Sequence, residues 1–159
     1  MDESIPFGFI VNIECDALCE LPSFEMVGLP DAAVKESRDR VRAALVNCGF
    51  DYPVSHITVN LAPADVKKAG SMYDLPSLLA ILLSSGQLKP TFDIEKCAFI
   101  GELALDGSLR GINGMLSMTI QAAKQGIEKF FLPEANAYEA SVVEGIEVYP
   151  VKSVKQLCD

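Results

Sequence analysis

The stretch Val27-Gly-Leu-Pro-Asp-Ala-Ala-Val-Lys-Glu-Ser-Arg-Asp-Arg-Val-Arg-Ala-Ala-Leu45 joins a strand end, a turn and an amphipathic helix. Residues 24–29 read as the strand, and Pro30-Asp31 opens the helix. Asp31 suits the N-cap because its carboxylate can accept from an orphan amide of the first turn. At about 100° per residue, Val34, Val41, Ala44, Leu45 and Cys48 share one arc, which predicts the buried face. Lys35, Arg38 and Arg42 lie within about 60° of each other on a neighbouring arc. The i,i+4 pairs Lys35–Asp39 and Glu36–Arg40 suit an exposed face. Gly49 ends the helix as a residue able to take positive φ.

The period changes on either side of this unit. Residues 7–15 alternate, with Phe9, Val11 and Ile13 on one face, and read as a strand; Leu21-Pro-Ser is a turn. His56-Ile-Thr-Val-Asn-Leu61 alternates again as a strand, and residues 62–72 form a loop. Asp74-Leu-Pro starts a second helix, with Asp74 expected at the N-cap and Pro76 in the first turn. Its body, residues 78–83, is apolar all round and belongs in the core, and Gly86 stops it. Residues 97–105 and 108–112 read as a hairpin across Asp106-Gly107, a pair suited to a two-residue turn with both φ positive. A helix over 115–125, a strand over 129–132, a short helix over 134–141, a strand over 146–151 and a last helix capped by Ser153 follow. The order ββαβαββαβ(α)βα predicts one α/β (α+β) domain with a mixed sheet over residues 1–159.

Half of the 159 residues are hydrophobic and 22% are charged, a globular composition that excludes a disordered chain. The net charge of −9 argues against gripping nucleic acid by bulk charge. The charge is uneven. Residues 31–70 carry six Lys/Arg against five acids, a local balance of +1, and the rest of the chain balances at −10. Any anionic partner belongs in the first zone. The five cysteines (Cys15, Cys19, Cys48, Cys97, Cys158) are an odd number without framework spacing, as in a reduced cytosolic protein. The N-terminus lacks the basic region of a signal peptide, and residues 78–83 are far too few to span a bilayer. A cytoplasmic protein with no membrane partner is the expectation.

No G-x-x-x-x-G-K-[ST] loop is present, so nothing here is set to cradle a nucleotide phosphate. His56, the single histidine, has no acid or cysteine at triad or metal spacing and reads as structural. Cys15 and Cys19 fall short of the three or four converging ligands that zinc needs. Lys67-Lys68, beside Asp65 and Asp74, is either a phosphate or carboxylate contact or a solvated loop. The Lys35/Arg38/Arg42 stripe is either a contact for nucleic acid or an acidic subunit, or a solvated helix face.

The opening stretch, with Ile57-Thr-Val-Asn-Leu-Ala-Pro-Ala-Asp-Val-Lys-Lys68 and Tyr73-Asp-Leu-Pro76, closely resembles the N-terminal domain of the magnesium-chelatase-like ComM/YifB AAA+ ATPases of bacteria. The resemblance covers residues 7–157 or so. It implies a three-part protein in which an AAA+ ATPase module and a chelatase-type domain follow this one. It also implies ATP and magnesium for the full-length protein, none for this domain, and a hexamer that migrates DNA branches during natural transformation. Partners are then the AAA+ module, neighbouring subunits and DNA, with Lys35, Arg38, Arg42, Lys67 and Lys68 as the contact candidates.

Gly101-Glu-Leu-Ala-Leu-Asp-Gly-Ser-Leu-Arg-Gly-Ile-Asn-Gly114 is similar, more distantly, to the Lon segment before the catalytic lysine. The implied fold is that of the Lon proteolytic domain and of the second domain of a small-subunit ribosomal protein, with a left-handed βαβ crossover. The Lon chemistry does not transfer. The nucleophile position falls at Met72, next to Ser71, and the lysine position falls on Leu116 or a neighbour. Residues 115–120 hold no lysine to take a hydroxyl proton. A non-catalytic domain is expected; a residual peptidase using Ser71 with Lys67 or Lys68, or a pure protein-recruiting domain, are the other readings.

Overall fold

The computed structural model describes residues 12–18, 23–53, 55–62, 68 and 70–159. The chain is mixed α/β. β1 (Asn12–Leu18) and β2 (Ser23–Val27) flank β3 (His56–Ala62) in the order β1-β3-β2. β1 runs antiparallel and β2 parallel to β3. Between β2 and β3 lie α1 (Ala32–Lys35) and α2 (Ser37–Asn47), and α3 (Asp74–Ser84) follows β3. A second sheet is formed by β4 (Cys97–Phe99), β7 (Lys129–Pro133) and β8 (Glu147–Val151), all parallel, in the order β4-β7-β8. β5 (Glu102–Leu103) and β6 (Leu109–Arg110) make a separate two-stranded ribbon. α4 (Met115–Lys124), α5 (Ala137–Ala140) and α6 (Val154–Cys158) complete the element order.

The alternation in β3 sends Ile57, Val59 and Leu61 inward, where they are fully buried. They meet Val34, Val41, Ala44 and Leu45 of α1–α2 and Leu75, Leu78 and Leu82 of α3 in the first core. The opposite face of that sheet shows Glu14, Asp16, Ser23 and Glu25 to solvent, the usual division of a sheet covered on one side. The second core joins Phe130 and Leu132 of β7 to Met115 and Ala122 of α4 and Ala140 of α5.

Asp31 caps α1 as expected: its Oδ1 accepts from the Val34 amide at 2.8 Å. Asp31→Ala should therefore lower the denaturation free energy by about 1 kcal/mol, read from urea unfolding curves. Gly49 follows α2 with φ +86, and Ser153 Oγ caps α6 through the Gln156 amide at 3.2 Å. The helix is broken at Glu36, yet one buried face runs through Val34, Ser37 and Val41.

Four expectations need correction. Asp74 is the first residue of α3 and not its N-cap, because its carboxylate is taken by Arg40 and by the Leu103 amide. Arg40 is not on the exposed face: its contact with Glu36 is 3.8 Å, while it binds Asp74 at 2.6 Å. The strand over 97–105 divides, since Cys97–Phe99 joins β7 and only Glu102–Leu103 pairs with β6. The connecting turn has positive φ at Gly107 and not at Asp106. Ala104 and Ser108 close a three-residue loop, with Asp106 accepting from the Ser108 amide. The first strand is described only from Asn12 to Leu18, so Phe9, Val11 and the turn at Leu21-Pro22 lie outside the described residues, as do Cys19 and Lys67.

Candidate functional site

The helix built from the opening stretch presents two different sets of cations. Lys35, Arg38 and Arg42 are all exposed. Arg38 meets Asp39 at 3.6 Å, with both side chains more than half exposed, and surface pairs of this kind hold little energy. The Arg42 guanidinium lies 5.2 Å from the centre of the Tyr52 ring, a cation–π contact that steadies it at the surface. The three cations therefore form a solvent-facing stripe.

Arg40 is turned away from that stripe. Its Nε and Nη2 donate to the two Asp74 oxygens at 2.6 and 3.0 Å, and Nη2 also donates to the Ala33 carbonyl at 3.0 Å. Asp74 is fully buried and also accepts from the Leu103 amide at 3.0 Å. The pair ties α2 to α3 and to the ribbon. Burial pushes the Asp74 carboxyl above its ordinary range, opposed by Arg40 and the Leu103 amide. The hydrogen bond to Asp74 holds the proton on Arg40 more tightly.

Ser71, the serine nearest the Lon nucleophile position, donates to Glu102 Oε2 at 2.5 Å. Glu102 Oε1 lies 4.0 Å from Arg110 Nε. The hydroxyl is thus engaged by a carboxylate on the ribbon. Leu116 is 39% exposed on the first turn of α4 and offers no base.

Lys68 is wholly buried, which contradicts a solvated loop. Its amide donates to the Leu29 carbonyl at 2.9 Å and its carbonyl accepts from the Asp31 amide at 2.9 Å, pinning the turn before α1. Lys67, its neighbour, lies outside the described residues. The structure therefore exposes Lys35, Arg38 and Arg42 and buries Lys68. His56 bonds Ser23 within the first sheet and sits 4.0 Å from Glu25 Oε2, a structural position. Among the described residues, no three His, Cys, Asp or Glu side chains converge on a point suited to a metal ion, and no helix is long and apolar enough to cross a membrane.

The Arg40–Asp74 and Ser71–Glu102 pairs escape a reading of the sequence. One signal for Arg40 exists. At 100° per residue it projects about 40° from Ala44, beside the buried arc, and on the opposite side from Arg42. No pattern in the sequence links Ser71 to a residue thirty-one positions away.

With the fold and these side chains in place, the sequence can be set beside those of known proteins. Residues 13–136 match the family described as subunit ChlI of Mg-chelatase. YifB of Escherichia coli is 43% identical over 135 residues, covering 85% of this chain and 26% of the relative. The competence protein ComM of Haemophilus influenzae is 44% identical over 140 residues, covering 88% of this chain and 27% of the relative. The chain belongs to this magnesium-chelatase-like family, with YifB and ComM among its members. A weaker similarity, 27% over 115 residues and 13% of the relative's length, reaches a Lon protease of Mesomycoplasma hyopneumoniae. The chain spans about 30% or less of the length of the curated family relatives it matches.

Proposed function

We propose that this chain is the non-catalytic N-terminal module of a cytoplasmic AAA+ ATPase of the ComM/YifB type, and that it supports assembly of the ring or engagement of DNA. ATP and magnesium are used by the AAA+ module of the longer protein, and the process served is DNA branch migration in natural transformation. The observation that carries this reading is the exposed Lys35/Arg38/Arg42 stripe on a domain that is otherwise strongly acidic. Lys67 is a further contact candidate from the sequence alone, whereas the buried Lys68 acts within the fold.

Between the two tasks, a neighbouring subunit fits the stripe better than DNA. Three cations neutralise few phosphates, and each phosphate contact contributes only about 0.9 to the salt slope of duplex binding. Glu36 and Asp39 interleave with them in the sequence, which weakens a phosphate surface and suits a partner carrying both signs. The Ser71–Glu102 bond supports a scaffold without peptidase chemistry, since the hydroxyl donates its proton to a carboxylate on the ribbon.

The test is to reverse Lys35, Arg38 and Arg42 to glutamate in the full-length protein. Native mass spectrometry should show the hexamer replaced by smaller species, with the domain still folded by circular dichroism. Intact assembly together with unchanged DNA binding would remove the stripe from both roles. Intact assembly with DNA binding weakened and its salt slope reduced would assign it to DNA.

A further inference from the structure

The second sheet carries a surface that the stripe reading leaves unused. Its registers place Phe99, Phe131 and Tyr149 side by side on neighbouring strands. Their rings stack at 4.9 and 4.8 Å, and Phe92 stacks on Phe131 at 5.9 Å. The row begins in the first core, where Phe99 packs, and ends on the edge strand β8. There Tyr149 is 36% exposed, and Phe92 beside the row is 41% exposed. The next row along the same strands is Cys97, Lys129 and Glu147. Lys129 Nζ sits 5.1 Å from the Phe92 ring and 5.9 Å from the Tyr149 ring, so these aromatic faces already hold one cation. A shallow depression of about 500 Å³, lined by Glu128, Lys129, Gly145, Ile146 and Glu147, opens at the same end of the sheet. Glu128 and Glu147 are both exposed.

We propose that this face of one copy receives the Arg38/Arg42 stripe of a second copy. The inference rests on the reading of the stripe as a subunit contact and names its complement. Arginine is the side chain that both stacks on aromatic faces and forks onto carboxylates, and this surface offers both. The stripe uses the same chemistry within its own chain, where Arg42 covers Tyr52. The open face of the first sheet is also acidic, through Glu14, Asp16 and Glu25. It is a poorer fit, because its exposed positions Glu14, Asp16, Ser23, Glu25 and Val27 include no aromatic ring. On the second sheet, Glu128 meets the exposed Lys96 at 3.8 Å and Glu147 accepts from the Tyr149 hydroxyl at 2.6 Å, surface contacts that a guanidinium can replace. Nucleic acid is disfavoured on the aromatic face because its carboxylates repel phosphate. The stripe and the receiving face are different surfaces of the chain. The contact is therefore head-to-tail, and head-to-tail contacts with a closing rotation generate rings.

Sedimentation velocity of this chain tests the proposal, at concentrations up to roughly 1 mM, where even weak contacts register. The parent should self-associate. Glu128→Lys/Glu147→Lys and Arg38→Glu/Arg42→Glu should each weaken association by about tenfold or more, since like charges then meet across the contact. Mixing the two variants should restore association, since opposite charges then meet across the contact again. A parent that stays monomeric throughout, or a sheet-face variant that associates like the parent, overturns the proposal. If only the stripe variant loses association, the stripe reading stands and this receiving face is wrong. A single-stranded oligonucleotide bound by the parent and released by Tyr149→Ala would assign the face to nucleic acid and also overturn the proposal.

Discussion

Arg40→Ala is expected to lower the unfolding free energy by about 3–5 kcal/mol, because it strips one partner from a buried pair. Asp74 has no exposed side-chain surface. After the substitution its carboxylate keeps one backbone donor, the Leu103 amide, in place of three. The loss depends on pH with a definite sign. Burial holds the folded pKa of Asp74 above its unfolded value, and removing Arg40 removes a force that lowers it. A carboxyl raised in this way favours the fold when protonated, and that contribution fades as pH rises through the folded pKa. The deficit of Arg40→Ala should therefore be largest at neutral pH and shrink on acidification towards that raised pKa. Urea unfolding at several pH values measures it. Replacing both partners together, Arg40→Met with Asp74→Leu, should recover much of the stability, since an apolar pair leaves no buried charge. An Arg40→Ala protein that unfolds at the parental urea midpoint at pH 7 would show that the pair does not hold α2 to α3.

Gly28→Ala is the second large effect, also about 3–5 kcal/mol, within the range reserved for backbone strain and overpacking. Gly28 has φ +105, and a β-carbon there would lie 2.1 Å from the Leu61 carbonyl oxygen. That oxygen belongs to β3, so the turn before α1 must move away from the first sheet to relieve the clash. Gly49→Ala is the control. Gly49 also has positive φ, but nothing lies within 4 Å of an added β-carbon. It should lose only the left-handed penalty of about 1–2 kcal/mol. Equal losses at the two positions would mean that φ alone matters and that the approach of Gly28 to Leu61 does not.

These two sites mark how far the sequence could be read. The helix after Asp31 was legible because a cap, an apolar arc and a terminal glycine agree within eighteen residues, and local signals of this kind survive folding. The strand at His56 was legible for the same reason, its period of two matching a sheet buried on one side. The ribbon was only half legible. Residues 97–112 carry one continuous strand pattern, yet the hydrogen bonds divide it, because Ile100 donates to Phe131 while Gly101 donates to Met72. Which partner a strand end takes is decided by distant chain segments and leaves no local trace. Lys67-Lys68 reads as a polar loop for a similar reason: charge in a sequence signals solvent until the fold covers it, as it does at Lys68.

By itself, then, the sequence determined the family, the helical stripe of Lys35, Arg38 and Arg42, and the missing lysine at the Leu116 position. Each of these is a matter of residue identity at fixed spacing. Only the tertiary structure decided that Arg40 turns inward to Asp74, that Ser71 is held by Glu102, and that four aromatic rings line one face of the second sheet. Those contacts join residues far apart in the chain, and their partners are chosen by the packing of sheets and helices that no single segment encodes.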